Sequence, residues 1–164
     1  QIQESIPCPS VQKNAIATAM SIANIRNISY LCVEFEKHPA MKKIIASPHA
    51  PKAVGPYSQA VEAGGALYVS GQLPIDGATQ KMAEGIEAQT RQSLTNLRHI
   101  LEEAGYTLGD VVKTTVLLQD IGDFAAMNAV YAGFFTSGMP ARVCYQVAAL
   151  PMGALVEIDA VAAK

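Results

Sequence analysis

The pattern of hydrophobic and polar positions from residue 41 onward predicts an ordered series of strands and helices. A run rich in β-forming residues predicts a strand over Ala66–Gln72. A nearly continuous apolar run predicts another strand over Val111–Leu118, covered on both faces. Between them, apolar side chains recur every three or four residues, which predicts a helix over Ile86–Ala104. Gly105 follows at the position where a left-handed residue commonly ends a helix.

Weaker signals predict the remaining elements of this part of the chain. They are a short strand, a proline-rich loop, a turn, a second helix and the last two strands: Lys42–Ala46, Ser47–Pro56, Pro74–Gly77, Asp123–Phe135, Arg142–Val147 and Leu155–Ala162. We expect the Asp123 carboxylate to cap the second helix by accepting its free amides. The order β-β-(β)-α-β-α-β-β, in which one strand has no clear range, is typical of a two-layer α+β fold. In such a fold two helices pack on one face of a mixed sheet.

The last two predicted strands separate apolar from polar side chains, because successive strand residues point to opposite faces. The apolar set is expected to lie under the helices: Val143, Tyr145, Val147, Val156, Ile158 and Ala160. The other sheet face then carries the polar set: Arg142, Cys144, Gln146, Glu157 and Asp159. Since the strand over Val111–Leu118 adds apolar residues to both faces, we expect another subunit to cover this second face.

The composition indicates one compact, soluble domain. Half of the 164 residues are apolar, yet no apolar run approaches the ~18 residues that a membrane span requires. The formal net charge is −2 without any cluster of Lys or Arg, which argues against nucleic acid as the main partner. Cys8, Cys32 and Cys144 have unrelated spacings and the His residues are scattered, so neither a disulfide framework nor a metal site is predicted. We therefore expect a cytoplasmic protein without a membrane segment.

Residues 1–40 differ in character from the rest of the chain. They lack an initiating Met, whereas the residues from 41 onward look like an ordinary bacterial protein start. A targeting peptide is one interpretation, although the three Glu residues of this segment are unusual in an acid-poor transit sequence. We favour an upstream or expression-derived N-terminal extension without a catalytic role, with some helix around Ala15–Ile25. The functional domain is then residues 41–164.

Arg142 is the only cationic side chain between Lys113 and the terminal Lys164. It opens a strand-like run in which no acidic residue occurs before Glu157. A lone guanidinium in apolar surroundings requires an anionic partner, because an unpaired buried charge is costly. That partner is either Glu157 or the carboxylate of a small ligand, which the planar fork of Arg binds through two parallel hydrogen bonds. The second alternative makes this stretch a candidate active site.

Several motifs occur in the order and spacing of a known family. They are Gly55-Pro56-Tyr57-Ser58-Gln59-Ala60, Ser70-Gly71-Gln72-Leu73-Pro74, Gln89-Thr90-Arg91-Gln92-Ser93-Leu94 with Asn96, Gly109-Asp110-Val111-Val112-Lys113-Thr114-Thr115-Val116, then Asn128, Tyr131 and Phe134-Phe135, and finally Pro140-Ala141-Arg142 with Val156-Glu157-Ile158. On these motifs residues 41–164 closely resemble the RidA family, also called YjgF. The first 40 residues fall outside the resemblance.

The resemblance implies both an assembly and an activity. The assembly is a homotrimer of chorismate-mutase-like α+β subunits with three sites between subunits. The activity is hydrolysis of the reactive enamines and imines made by pyridoxal-phosphate enzymes, of which 2-aminoacrylate and its tautomer 2-iminopropanoate are the type substrate. The products are pyruvate and ammonia, and neither cofactor nor metal is required. An Arg at the position of Arg142 marks the branch of the family with this activity.

The resemblance also implies roles for individual residues. Arg142 would hold the substrate carboxylate, and Glu157 would orient or deprotonate the attacking water. The residues that would line the same pocket are Tyr57, Gly71, Asn128 and Cys144. The main chain near Gly71 and Cys144 would hydrogen-bond the substrate nitrogen and carboxylate.

Three alternatives stay open at this point. Cys144 could be a nucleophile, but no His lies at a suggestive spacing, so we favour a role as pocket wall. Glu157 could merely neutralise Arg142. The whole protein could instead be a non-enzymatic binder of small carboxylates or a holdase for unfolded chains, although such a binder has no use for an added acid.

Overall fold

The computed structural model describes residues 42–164. The predicted extension, with its possible helix around Ala15–Ile25, lies outside the described residues. Six strands and two α-helices follow one another in the described part. The strands are β1 (Lys43–Ile45), β2 (Ala60–Ala63), β3 (Ala66–Gln72), β4 (Val111–Leu118), β5 (Ala141–Gln146) and β6 (Val156–Ala163), and the helices are α1 (Ile86–Glu103) and α2 (Phe124–Phe134). The predicted two-layer α+β fold is confirmed, and β2 is a strand to which the pattern assigned no range.

All six strands form one mixed sheet in the order β1-β2-β3-β6-β4-β5. Every neighbouring pair is antiparallel except β4 and β5, which run parallel. The parallel pair requires a crossover connection, and α2 supplies it. As a result the last strand, β6, lies in the middle of the sheet, while β5 lies at its edge.

The hydrophobic core lies between the sheet and α1. The fully buried face of α1 carries Leu94, Leu97, Ile100 and Leu101. These side chains pack against the sheet residues Leu67, Val116, Val156 and Ile158. The spacing of the helical residues is the periodicity from which the helix was predicted, so the core confirms that interpretation. No helix among residues 42–164 has the length and apolar character needed to cross a membrane.

The two helix ends show one confirmed and one wrong prediction. Gly105 ends α1 at φ 80°, and the amide of Tyr106 donates to the carbonyl of Leu101 at 2.8 Å, as in a Schellman motif. Asp123, by contrast, makes no side-chain capping bond to α2. The preceding 3₁₀ turn is capped instead, because Asp120 accepts a hydrogen bond from the Gly122 amide at 2.8 Å. Asp120, three positions before Asp123, therefore provides the cap at the turn that leads into α2.

A buried amide on α1 fixes the chain that follows β3. Asn96 is fully buried, and its Nδ2 donates to the carbonyls of Leu73 at 3.0 Å and Ile75 at 2.8 Å. Its Oδ1 accepts from Gln92 at 2.9 Å. A buried side chain with all of these bonds made holds the backbone in one position, since every competing position leaves a polar group unpaired.

We expect Asn96→Ala to lower the free energy of unfolding by about 2–3 kcal/mol, because two buried carbonyls lose their donor. Urea unfolding at neutral pH measures the change. The matched control is Thr95→Ala, whose hydroxyl bonds only to the Arg91 carbonyl of its own helix. A control effect within about 0.5 kcal/mol is expected for such a site. Equal losses in the two variants would contradict the role assigned to Asn96.

Candidate functional site

The side chains of the edge strand β5 lie on the opposite faces of the sheet from those predicted. Arg142 lies beside Thr114 of β4, and Cys144 lies beside Val116. Thr114 and Val116 are fully buried on the side of the sheet that the helices cover. Arg142, Cys144 and Gln146 therefore lie on the helix side, and they do not share a face with Glu157 and Asp159.

The apolar residues of β5 accordingly lie on the open face of the sheet. Val143 is 44 % exposed and Tyr145 is 48 % exposed, so the expectation that they pack under the helices is wrong. The physical reason is that β5 is an edge strand. Aromatic rings of α2 cover its polar side, whereas nothing in the described part of the chain covers its apolar side. In β6 the expected division holds, because Val156, Ile158 and Ala160 are buried.

The guanidinium of Arg142 lies against two aromatic rings of α2. Its central carbon is 4.6 Å from the centroid of the Tyr131 ring and 5.6 Å from that of Phe124. Such cation–π contacts attract the guanidinium without using its N–H groups as hydrogen-bond donors, so these groups stay available. Among residues 42–164, Arg142 makes no ion pair with a carboxylate. The possibility that Glu157 neutralises Arg142 within one chain is thereby removed.

Arg142, Cys144 and Asn128 are together called the arginine half-site: Cys144 lies two residues after Arg142 on the same side of β5, and Asn128 lies on the helix that covers this side. Asn128 is one helical turn beyond Phe124 and three residues before Tyr131, so it shares their face of α2. Cys144 is partly buried and packs against the core. Burial raises the pKa of the Cys144 thiol, while the nearby charge of Arg142 lowers it by less. A thiol held protonated is a poor nucleophile, which favours the role of Cys144 as a wall.

Glu157 lies on the open face, in the central strand of the sheet, and borders a cleft of about 510 Å³. The cleft is lined by Val54, Gly55, Tyr57, Ser70, Gly71, Leu73, Pro151, Met152 and Glu157. Tyr57, Gly71 and Glu157 are the predicted site residues among them, and they are called the glutamate half-site. The open side of the sheet thus forms a pocket with one carboxylate and largely apolar walls.

Gly71 is required by the position of the Glu157 carboxylate. The register of β3 with β6 shifts between Val69 and Gln72, so Gly71 lies in an irregular part of the strand. A Cβ atom at Gly71 would lie 2.0 Å from Oε1 of Glu157 and 2.8 Å from its Cδ. Only glycine therefore leaves room for the carboxylate where it stands.

Burial raises the pKa of Glu157, and the negative charge of neighbouring Asp159 raises it further. Asp159 itself accepts a hydrogen bond from the Thr115 amide at 3.1 Å. The shift brings the carboxyl group of Glu157 closer to the pH range in which it can both accept and return a proton.

The loop that carries Tyr57 is held by a buried residue that the sequence reasoning did not single out. The side chain of Gln59 accepts from the Ser47 amide at 2.6 Å and donates to the Pro51 carbonyl at 2.7 Å. Ser70 adds a third tie, because its hydroxyl donates to the Ser58 carbonyl at 2.7 Å. Gln59 belongs to the Gly-Pro-Tyr-Ser-Gln motif. Its polar side chain inside that motif was the one feature of the sequence that could have indicated this role.

The rim of the cleft also includes a residue that no pattern indicated. Met152 has φ 58°, a left-handed conformation that residues other than glycine rarely adopt. Its side chain is exposed and borders the cleft that contains Glu157. Strained backbone of this kind collects at binding sites and leaves no hydrophobic periodicity in the sequence. Within residues 42–164, no three His, Cys, Asp or Glu side chains are grouped to bind a metal ion.

Comparison with known proteins identifies the family. A family model described as Endoribonuclease L-PSP matches residues 47–164. The 2-iminobutanoate/2-iminopropanoate deaminase of Salmonella typhimurium is 48 % identical over 127 residues, which is 76 % of this chain and 99 % of that protein. The chain belongs to the YjgF/RidA family. Other members carry different names, such as a RutC family protein of Pyrococcus horikoshii that is 52 % identical over 76 % of this chain and 99 % of its own length.

Solved structures of the YjgF/RidA family confirm the fold. The YjgF gene product of Escherichia coli matches with a TM-score of 0.73 and 45 % identity, covering 74 % of this chain and 98 % of that one. Escherichia coli TdcF with bound serine matches with a TM-score of 0.73 and 41 % identity, again over 74 % and 98 % of the two chains. Two-layer α+β architecture is therefore a property that this chain shares with its relatives.

The predicted site residues thus form two groups on opposite faces of one sheet. The first group is the arginine half-site under α2, and the second is the glutamate half-site on the open face. Within one chain the structure does not bring Arg142 and Glu157 together. Any site that uses both half-sites requires more than one copy of the chain.

The raised pKa of Glu157 predicts a pH-dependent stability. A carboxyl group whose pKa is raised by folding favours the folded state while protonated, so its contribution is lost as pH rises through the folded pKa. The loss begins above the ordinary Glu value of 4.5. Glu157→Gln cannot ionise and so does not lose this contribution. We therefore expect the free energy of unfolding of the variant, compared with that of the parent, to be higher at about pH 8 than at about pH 4.

Urea unfolding of both proteins at the two pH values measures this difference. The control for removing one charge is Glu87→Gln, on the exposed first turn of α1. A stability difference between Glu157→Gln and the parent that is the same at both pH values would contradict the raised pKa.

Proposed function

We propose that this member of the YjgF/RidA family hydrolyses imino and enamino acids of the 2-iminopropanoate type to 2-oxo acids and ammonia. The observation that carries the proposal is the pair of half-sites: a guanidinium with its N–H edge available, and a carboxyl group with a raised pKa in an apolar cleft. Relatives named 2-iminobutanoate/2-iminopropanoate deaminase, at 46–50 % identity, support the same activity.

The two half-sites are proposed to meet between subunits of a homotrimer. They lie on opposite faces of one sheet, so the arginine half-site of one copy must face the glutamate half-site of the next. Exposed apolar side chains on the open face support burial against a neighbouring copy: Tyr68, Val143 and Tyr145. A ring that closes after three copies repeats this contact three times.

Arg142 is proposed to bind the substrate carboxylate. A carboxylate adjacent to the C=N carbon matches the in-plane fork of the guanidinium, and two parallel hydrogen bonds then set the orientation of the imine. Asn128 is within the same half-site and supplies a further hydrogen-bonding group. The main chain around Gly71 and Cys144 is proposed to bond the nitrogen and carboxylate. Binding energy from the carboxylate thereby positions the reacting carbon near the neighbouring subunit's Glu157.

Glu157 is proposed to handle the protons of the reaction. An enamino acid first takes a proton on carbon to become the protonated imine. Water then adds to the imine carbon, forming a C–O bond while the C=N electron pair moves to nitrogen, and Glu157 accepts one proton of the water, which leaves a neutral carbinolamine. Glu157 returns that proton to the nitrogen, the C–N bond breaks to release ammonia, and the hydroxyl proton leaves to solvent as the carbonyl of the 2-oxo acid forms. Water is the only co-reactant in this balance.

The remaining site residues are proposed to shape the pocket. Tyr57 closes one side of the cleft, and its hydroxyl accepts a hydrogen bond from the Val54 amide at 3.4 Å. Cys144 forms a wall of the arginine half-site as a neutral thiol. The catalytic unit is proposed to be residues 41–164, with residues 1–40 as a non-catalytic extension, in a cytoplasmic protein.

The proposed activity predicts the effect of removing the carboxylate clamp. We expect Arg142→Ala to lower kcat/KM for 2-iminopropanoate about a hundredfold, because losing a buried charge-assisted clamp costs ~3 kcal/mol. The imine is generated in situ by an amino-acid oxidase and its loss is followed with semicarbazide. Arg98→Ala, on the exposed face of α1, is the control and is expected to match the parent. A parent that does not accelerate hydrolysis would favour the binding-protein alternative, and more than about a third of parental turnover in Arg142→Ala would reject the clamp.

The shared site predicts complementation between two inactive variants. Arg142→Ala and Glu157→Ala each lack one half-site, but a mixed oligomer contains contacts between an intact arginine half-site and an intact glutamate half-site. Random mixing of equal amounts restores about one quarter of the sites. Co-refolding the two variants and assaying the purified oligomer measures this recovery. Mixed oligomers without activity would place both residues of a working site in the same chain, contrary to the proposal.

A further inference from the structure

Tyr131 is the nearer of the two aromatic rings against which Arg142 lies, and it has no place in the proposed mechanism. The guanidinium carbon is 4.6 Å from its ring centroid, closer than to Phe124 at 5.6 Å. Tyr131 is only 6 % exposed, although it ends in a polar hydroxyl. A buried tyrosine under an arginine therefore calls for an explanation beyond the filling of the core.

The ring of Tyr131 is held on two sides. Its hydroxyl shares a 2.7 Å hydrogen bond with the hydroxyl of Thr114, which lies directly beside Arg142 in the pairing of β4 with β5. The ring also packs on Phe135 one turn later, with centroids 4.6 Å apart. Since strand and helix both fix it, the ring forms a rigid surface against which the guanidinium lies.

The phenol of Tyr131 stays neutral in this position. Burial raises its pKa, and the hydrogen bond with Thr114 and the charge of Arg142 oppose that rise by less. A phenolate would neutralise Arg142 and compete with a substrate carboxylate. A neutral ring attracts the cation through its face and leaves the charge available at the N–H edge.

We propose that Tyr131 is a positioning residue for Arg142: its ring, fixed by Thr114 and Phe135, holds the guanidinium with its N–H edge directed at the substrate carboxylate. This inference rests on the proposed function, because it assigns Arg142 the role of carboxylate clamp. Without the ring, Arg142 keeps its charge but samples several orientations, so carboxylate binding weakens while the proton chemistry at Glu157 is preserved.

The experiment compares Tyr131→Leu with Tyr131→Phe in the full-length oligomer. The readouts are the Kd for 2-oxobutanoate, measured by calorimetry, and KM and kcat for 2-iminobutanoate. We expect Tyr131→Leu to raise Kd and KM about five- to tenfold with a change in kcat of less than about threefold. Tyr131→Phe loses the bond to Thr114 but keeps the ring face and its packing on Phe135, so it is expected to stay within about twofold of the parent.

A second buried tyrosine provides the matched control. Tyr106 is 5 % exposed, its hydroxyl donates to Glu62 at 3.1 Å, and the Lys164 ammonium lies 4.7 Å from its ring centroid. It thus has the same burial, hydrogen bonding and cation contact, but it touches neither half-site. Tyr106→Leu is expected to lower the Tm without changing Kd or KM.

Two further comparisons keep the inference testable if Tyr131→Leu does not fold. Tyr131→trifluorophenylalanine preserves the ring's shape while weakening its attraction for cations, and it is expected to raise Kd relative to Tyr131→Phe. In an Arg142→Ala background, replacement of Tyr131 is expected to have no further effect on Kd.

The outcomes separate the inference from the proposed function. An unchanged Kd on fluorination, or an equal effect of Tyr131 replacement with and without Arg142, would overturn the inference even in an active enzyme. A parent that binds 2-oxobutanoate through Arg142 and Tyr131 but hydrolyses no imine would support the inference and reject the deaminase. If the parent does not bind 2-oxobutanoate, Arg142 is not a carboxylate clamp, and the inference about Tyr131 is overturned with it.

Discussion

The pairing of β4 with its two neighbours is the constraint on which the rest of this structure depends. Thr114 lies beside Arg142 of the parallel strand β5 and beside Ala160 of the antiparallel strand β6. Because side chains alternate along each strand, Arg142 must lie with Thr114 on the helix side, and Glu157 must lie on the open side. A slip of one residue in either pairing would move Arg142 or Glu157 to the other face of the sheet and expose part of the core.

The separation of the two charged groups explains their individual electrostatics. Arg142 rests on aromatic rings without a carboxylate in the described part of the chain, and the carboxyl group of Glu157 is disfavoured as an anion by burial and by Asp159. Within one chain neither group has the partner that would stabilise its charge fully. An anionic, electrophilic substrate held between two copies of the chain would supply what each half-site lacks.

Hydrogen bonds from buried amides support both walls of the cleft. Gln59 holds the loop that leads to Tyr57, and Asn96 holds the segment that begins at Leu73. Each amide bonds to backbone carbonyls of another segment of the chain, so its loss would loosen a part of the cleft without removing a residue that lines it. Positioning of this kind is also what we infer for Tyr131 beneath Arg142.

Local periodicity determined most of the elements, because the apolar spacing of α1 and the β-run of β4 each require one secondary structure whatever surrounds them. Gly105 ended its helix as expected for the same local reason, and the motifs around Tyr57, Arg142 and Glu157 were sufficient for the family. The tertiary structure alone decided which side of β5 faces the helices. Alternation in a strand gives two equivalent assignments, and the choice depended on the aromatic rings of α2 and on the pairing with β4. For that reason the sequence placed Arg142 and Glu157 on one face, whereas the fold divides them between two.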